Sequence, residues 1–238
     1  MTGGRLAHAI ARSRGADAPS GIGGFSRLEA DGLAIVHGPA PPHASTPDTA
    51  VIEAYASAID GLHRLETVLP LRYGCIAGSE PELAAILRRH RDAWLAALDE
   101  VEGCDEIGLR VLLHAPARPD RPPRGPTPAT TDRPGTAYLA ALQARLAGAD
   151  ALSDVASRAS EMILEALGGL CRRSTVERPG PGRDRLLSMS FLVPRAGLDA
   201  FRLAARGLEG QAPGKLLLTG PWPPYNFAGP GPGAEAQT

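Results

Sequence analysis

Apolar positions along this chain switch between two periods, and the switches outline its elements. Leu6 to Ala11 is a short apolar run that offers a first strand of poor alternation. Gly15 to Ser26, with its glycines and a proline, reads as a loop. Leu33-Ala34-Ile35-Val36 is a continuously apolar strand bounded by Gly32 and Gly38. A linker, Pro39 to Pro47, leads to Ser45, Thr46 and Asp48, whose oxygens offer an N-cap for a helix from about Asp48 to Leu65. Val51, Ile52, Tyr55, Ile59 and Leu62 follow the helical period and form one stripe. Val68 to Gly74 reads as a strand interrupted by Pro70, which cannot donate to a ladder and so predicts an edge strand or a bulge. Ser79, Glu80, Pro81 and Glu82 are a strong helix start. Leu83, Ile86, Leu87, His90, Trp94, Leu98 and Val101 then line one face.

From there the period shortens to two. Ile107, Leu109, Val111 and Leu113 alternate with Gly108, Arg110 and His114 as a half-buried strand. Pro116 to Pro134 has little to bury and reads as an exposed loop. Thr136 to Leu146 and Asp150 to Leu170 are helical, with a break at Gly148 and a stripe of Leu152, Val155, Ala159, Met162, Ile163 and Leu167. Arg172 to Arg178 is a weaker strand. After the turn Pro179 to Gly182, Leu187, Met189, Phe191 and Val193 alternate up to Pro194. Leu198, Phe201, Ala205 and Leu208 are one face of a short helix, and Lys215 to Thr219 is a last strand stopped by Gly220-Pro221. The second half thus reads β-α-β-β-α-β, the ferredoxin-like order. The expected fold class is α+β in two domains: a small N-terminal unit over 1–102, and a ferredoxin-like domain over 103–220 with a Pro-rich loop at 115–134. A C-terminal aromatic and proline segment with a frayed tail covers 221–238. A single α+β domain with one continuous sheet is the alternative.

Composition narrows the function classes. The chain has 238 residues, enough for a real core, and 21% are charged with a formal net charge of -1. That balance gives no electrostatic argument for nucleic acid or an anionic membrane. Lys215 is the only lysine, a bias that fits a GC-rich genome. Cys75, Cys104 and Cys171 are odd in number and widely spaced, so neither a disulfide framework nor a thiolate metal site is expected. The N-terminus lacks a signal-peptide core, and no stretch approaches the roughly 20 apolar residues that span a bilayer. A cytoplasmic protein is expected.

Candidate chemistry is sparse. Gly21-Ile22-Gly23-Gly24 lacks the spacing and the lysine of a phosphate loop. The histidines His8, His37, His43, His63, His90 and His114 show no zinc spacing. The acidic cluster Glu100, Glu102, Asp105 and Glu106 reads as a solvated turn at a helix end. Ser188 and Ser190 are the polar face of a strand, and Cys75 reads as structural. No catalytic, cofactor or metal site is expected. Arg72, beside Tyr73 on an irregular strand, is suited to a structural pairing or a partner contact.

The closing stretch concentrates the scarce aromatics. Aromatic residues are 4% of the chain, yet Trp222, Tyr225 and Phe227 fall together in Gly220-Pro221-Trp222-Pro223-Pro224-Tyr225-Asn226-Phe227. Prolines fix φ and hold such a segment without secondary structure. Together with Val68-Leu69-Pro70-Leu71-Arg72-Tyr73-Gly74, Glu106 to Val111, Gly135-Thr136-Ala137-Tyr138-Leu139 and Phe191-Leu192-Val193, it resembles the gas vesicle GvpF/GvpL family. The resemblance covers roughly Leu33 to Phe227 in order. It departs at the first strand, at Cys75, and at Asn226, where the family has serine.

The resemblance implies a non-enzymatic accessory protein, cytoplasmic and associated with gas vesicles, with a ferredoxin-like second domain. Its implied partners are the small hydrophobic shell protein and other gas vesicle proteins, with no nucleic acid, membrane or cofactor. Arg72, Tyr73, Trp222, Tyr225 and Phe227 are the motif residues that could meet a partner. The position of the aromatic segment directly after the last strand favours a lid in which Trp222 and Tyr225 are buried. The rival is a ferredoxin-like ligand-binding or enzymatic domain, with Arg72, Tyr73 and His114 as its first candidates.

Overall fold

The computed structural model describes residues 4–14, 21–22, 24–41, 48–114, 134–179 and 185–229, with backbone alone for 21–22 and 134–150. The Pro-rich loop expected at 115–134 lies outside these residues but for Pro134. So do most of the glycine-rich loop and of the linker before the first helix, the turn after Pro179 and the tail beyond Gly229. The chain divides into two compact units. One comprises Met1–Ile107, Leu192–Arg195 and Gly220–Thr238; the other comprises Gly108–Phe191 and Ala196–Thr219.

The first unit is built on an antiparallel sheet around β1 (Arg5–Arg12). Leu6 to Ala11 are buried one after another, which explains the poor alternation: helices cover both faces, so both faces need apolar or neutral side chains. A short pair, β2 (Gly21–Ile22), leads to β3 (Phe25–Ala30) and β4 (Leu33–Pro39). β3 corrects the sequence reading, which placed Phe25 in a loop. Asp31 and Gly32 both have positive φ (51° and 85°) and close a two-residue hairpin with Ala30 opposite Leu33. Asp-Gly supplies that geometry at little steric cost.

Asp48 caps α1 (Thr49–Leu65), its Oδ1 accepting from the Val51 amide at 2.9 Å. Tyr55, Ile59 and Leu62 face the sheet, while Ile52 stays exposed. β5 (Val68–Pro70) pairs with Ala9 to Ala11, and β6 (Ile76–Ala77) pairs with Arg5 and Leu6. The expected strand through Gly74 therefore ends at Pro70, and the two pieces form an interrupted strand along one side of β1. α2 (Glu80–Val101) starts at Ser79, whose Oγ accepts from the Glu82 amide at 3.4 Å, while Glu82 Oε2 accepts from the Gly78 amide at 2.7 Å. This reciprocal arrangement resembles a capping box shifted by one residue. Leu83, Leu87, Trp94, Leu98 and Val101 of α2 pack with Ile10, Leu33, Ile35, Leu69, Leu192 and Phe227 in one core.

β7 (Cys104–Leu113) begins three residues earlier than its alternation shows, because Cys104, Asp105 and Glu106 are buried with Ile107 on both sides of the strand. The acidic residues Asp105 and Glu106 are therefore not in a solvated turn. In the second unit α3 (Pro134–Leu167) is one helix of 34 residues. Gly148 does not break it: one interior glycine costs about 1 kcal/mol, small against the length of helix around it. β8 (Arg173–Glu177) and β9 (Leu186–Pro194) follow, then α4 (Leu198–Arg206), with Phe201 against Phe191 at 5.2 Å between ring centroids. β10 (Gly214–Trp222) runs past the expected stop, through a cis Gly220-Pro221 peptide, to Trp222. The sheet order is β10-β7-β9-β8.

Candidate functional site

The closing segment is held at both ends. On one side, Gly220 has φ +105° and lies so close to the Glu106 carbonyl that a Cβ would stand 2.7 Å from it. Only glycine meets both conditions. On the other side, the buried carboxylate of Glu106 takes two hydrogen bonds from one residue. Oε2 accepts from the Asn226 amide at 2.8 Å and Oε1 from Asn226 Nδ2 at 2.5 Å. Phe227 is 1% exposed and sits in the core beneath α2, and Pro223 and Pro224 are buried as well.

Trp222 and Tyr225 take the opposite position. They are 50% and 40% exposed, so the expectation of a lid burying both is corrected. Burial of Pro223, Pro224 and Phe227 leaves these two rings on the outward side of the segment, with Pro221 and Asn226 exposed beside them. Partial burial, reinforced by the charges of Asp60 and Glu106, pushes the Tyr225 phenol up to about 12.

Arg72 and Tyr73 lie in the interruption between β5 and β6. That short segment hangs on β1: the Leu71 amide donates to His8 O at 2.9 Å and the Ala7 amide to Cys75 O at 2.8 Å. Tyr55 Oη lies 2.9 Å from Ala7 O and 3.0 Å from Leu71 O, sharing its proton between strand and segment. The Tyr73 ring meets Tyr55 edge-on at 5.1 Å, and its buried hydroxyl has no partner among the described residues. The His8 ring stacks on Tyr55 at 4.7 Å. Arg72 itself is exposed. Burial pushes the Cys75 thiol up, which agrees with an unreactive, structural cysteine.

Asp105, adjacent to Glu106 in β7, is the second carboxylate that periodicity missed. His63 Nε2 lies 2.8 Å from its Oδ1, and Arg195 Nε donates to the same oxygen at 2.9 Å. Burial works to raise this carboxyl, but the bonds from His63 and Arg195 outweigh it and hold it below the usual range. The group ties the end of α1 to the start of β7 and to the residue after β9. It is an ion-pair junction with no nucleophile in it. His90, on the apolar stripe of α2, is half-buried against Trp94 at 5.0 Å. Among the described residues no three His, Cys, Asp or Glu side chains group closely enough to hold a metal, and no helix is long and apolar enough to cross a membrane.

Comparison with known proteins gives concordant matches. The model of the family described as gas vesicle synthesis protein GvpL/GvpF matches residues 5–229. Gas vesicle protein L of a Streptomyces species is 27% identical over 74% of this chain and 68% of its own. Gas vesicle protein F1 of Halobacterium salinarum is 28% identical over 78% and 72%. The crystal structure of gas vesicle protein GvpF from Microcystis aeruginosa superposes with a TM-score of 0.69, covering 94% of this chain and 98% of that one at 13% identity. An Anabaena GvpF superposes equally well. The fold is a mixed α+β one with antiparallel strands, like those structures.

Proposed function

Since the chain belongs to the gas vesicle GvpL/GvpF family and so has a gas-vesicle-related role, we propose that it supports vesicle assembly through protein–protein contacts, without catalysis. Its proposed partners are the hydrophobic shell protein and other gas vesicle proteins, met in the cytoplasm. The observation that carries this reading is the outward display of Trp222 and Tyr225 on a segment whose Pro223, Pro224 and Phe227 are buried. A shell subunit with an apolar face aggregates unless something covers it. Aromatic rings held rigidly outward suit that task, since they offer large apolar area with few rotors to freeze. Arg72, exposed next to Tyr73, is a proposed second contact; Phe227 contributes as the buried anchor of the segment.

The domain reading is part of the proposal: an N-terminal unit over 1–102 and a ferredoxin-like domain over 103–220, followed by the segment 221–238. The chain order β-α-β-β-α-β and the sheet order β10-β7-β9-β8 support the ferredoxin-like assignment.

Co-expression with the shell protein followed by affinity capture tests the function. Capture that falls when Trp222 and Tyr225 are both changed to Ala is the expected result. No association with shell or accessory proteins, together with normal vesicles in a deletion strain, refutes it.

A further inference from the structure

Glu106 stands out among the described residues. It is a carboxylate 5% exposed, and its two hydrogen bonds from Asn226, both to a single residue, come from 120 positions away. Burying a carboxylate is costly unless its oxygens are satisfied by donors, and an apolar residue at this strand position would fill the space without that cost. The contact therefore does something that packing does not. Its partner Asn226 is exposed, so the bond adds no buried apolar surface either. What it adds is direction: a bidentate acceptor fixes both the backbone and the side chain of Asn226.

The bridge between the two fixed points is very short. β10 ends at Trp222, where Gly220 is already pressed against the Glu106 carbonyl, and the clamp begins at Asn226. Glu106 thus meets the segment twice, its carbonyl close against Gly220 before Trp222 and its carboxylate bonded to Asn226 after Tyr225. Pro223 and Pro224 stiffen what lies between. Phe227 then enters the core. With both ends fixed and the middle stiffened, the backbone that carries the two aromatic rings is held in place.

We infer that Glu106 is the positioning residue of the Trp222–Tyr225 contact face, holding it outward and preorganised through Asn226. The inference rests on the proposed contact role for its binding consequence, since preorganisation raises affinity by removing the ordering cost at the moment of association. The partner it fits is a protein with an exposed aliphatic surface, such as the proposed shell subunit.

The chain has two tryptophans, so a Trp94→Phe background isolates Trp222 as a local probe in the full-length protein. Time-resolved fluorescence anisotropy of Trp222 is compared in that background alone and with Glu106→Ala, Glu106→Gln and Asn226→Ala. Glu106→Ala is expected to give Trp222 fast local motion, and Asn226→Ala a smaller increase. Glu106→Gln, which keeps an acceptor oxygen, is expected to restore most of the rigidity. Capture of co-expressed shell protein should weaken about tenfold in Glu106→Ala and recover in Glu106→Gln. A folded Glu106→Ala protein whose Trp222 stays as rigid as before overturns the inference. Should Glu106→Ala not fold, Asn226→Ala decides, and unchanged Trp222 motion there overturns it equally. Failure of the unmodified chain to capture any shell protein strikes the proposed function instead, and leaves the anisotropy result to judge the clamp.

Discussion

The two tryptophans of this chain occupy opposite environments in the same unit. Trp94, in the middle of α2, is fully buried; Trp222, at the end of β10, is half exposed. Trp94 is placed by a helical period that began fifteen residues earlier at the Ser79 cap, with Leu83 and Leu87 before it and Leu98 and Val101 after it. No period reaches Trp222. Its position follows from a glycine pressed on a strand carbonyl and from a carboxylate that grips Asn226. Burial of a large aromatic is thus a property of what holds the backbone, and the residue type alone decides nothing. In α2 the holding is local and repeated at each turn. In the closing segment it is distant and depends on few contacts.

The comparison can be broken most directly at the two rings. Trp94→Ala should cost about 3–5 kcal/mol through the cavity it leaves, measured as a shift in urea midpoint. Trp222→Ala should move the same midpoint by no more than about 0.5 kcal/mol. Comparable losses at both positions would mean that Trp222 is packed after all.

Acid should act on the packed side of the comparison. Burial lowers the His8 imidazole from 6.5 to about 4, where it stacks on Tyr55 beneath α1. The unfolded chain binds the proton more tightly than the folded one. The full stability is present above pH 6.5 and is lost as pH falls towards 4, by about 3 kcal/mol in total. His8→Phe keeps an aromatic ring on Tyr55 and should flatten the fall between pH 6.5 and 4.5. An unchanged slope in that variant would remove His8 as the cause. A loss between those of the two tryptophans is expected at the helix start: Ser79→Ala should cost about 1 kcal/mol, read from the same denaturation curves. A negligible loss would show that Pro81 and Glu82 define the start of α2 without the serine.

Legibility in the sequence followed the same division. The stripe of α2, the alternation of β7 from Ile107 and of β9, and the Asp48 and Ser79 caps all rest on neighbours within a few residues, and all are present. β3 carries little apolar signal because Ser26, Arg27 and Glu29 interrupt it, and the Asp31-Gly32 pair is its one local mark. β1 looked weak because a strand covered on both faces has no alternation to show. The closing segment was recognisable as a motif, yet its orientation came out reversed for Trp222 and Tyr225. Asp105 and Glu106 looked like solvent-facing acids because adjacent strand residues point to opposite faces, and nothing nearby in sequence announces a donor for either.

The sequence by itself determined the mixed α+β class, the starts of α1 and α2, the family and the motif strings that mark it, since each depends on local chemistry or on an ordered string of residues. The tertiary structure alone decided that Glu106 faces Asn226, that Asp105 faces His63 and Arg195, and that Trp222 points outward. Those outcomes depend on groups separated by up to 132 positions. No short-range period carries information over that distance; only the folded backbone brings such groups within hydrogen-bond reach.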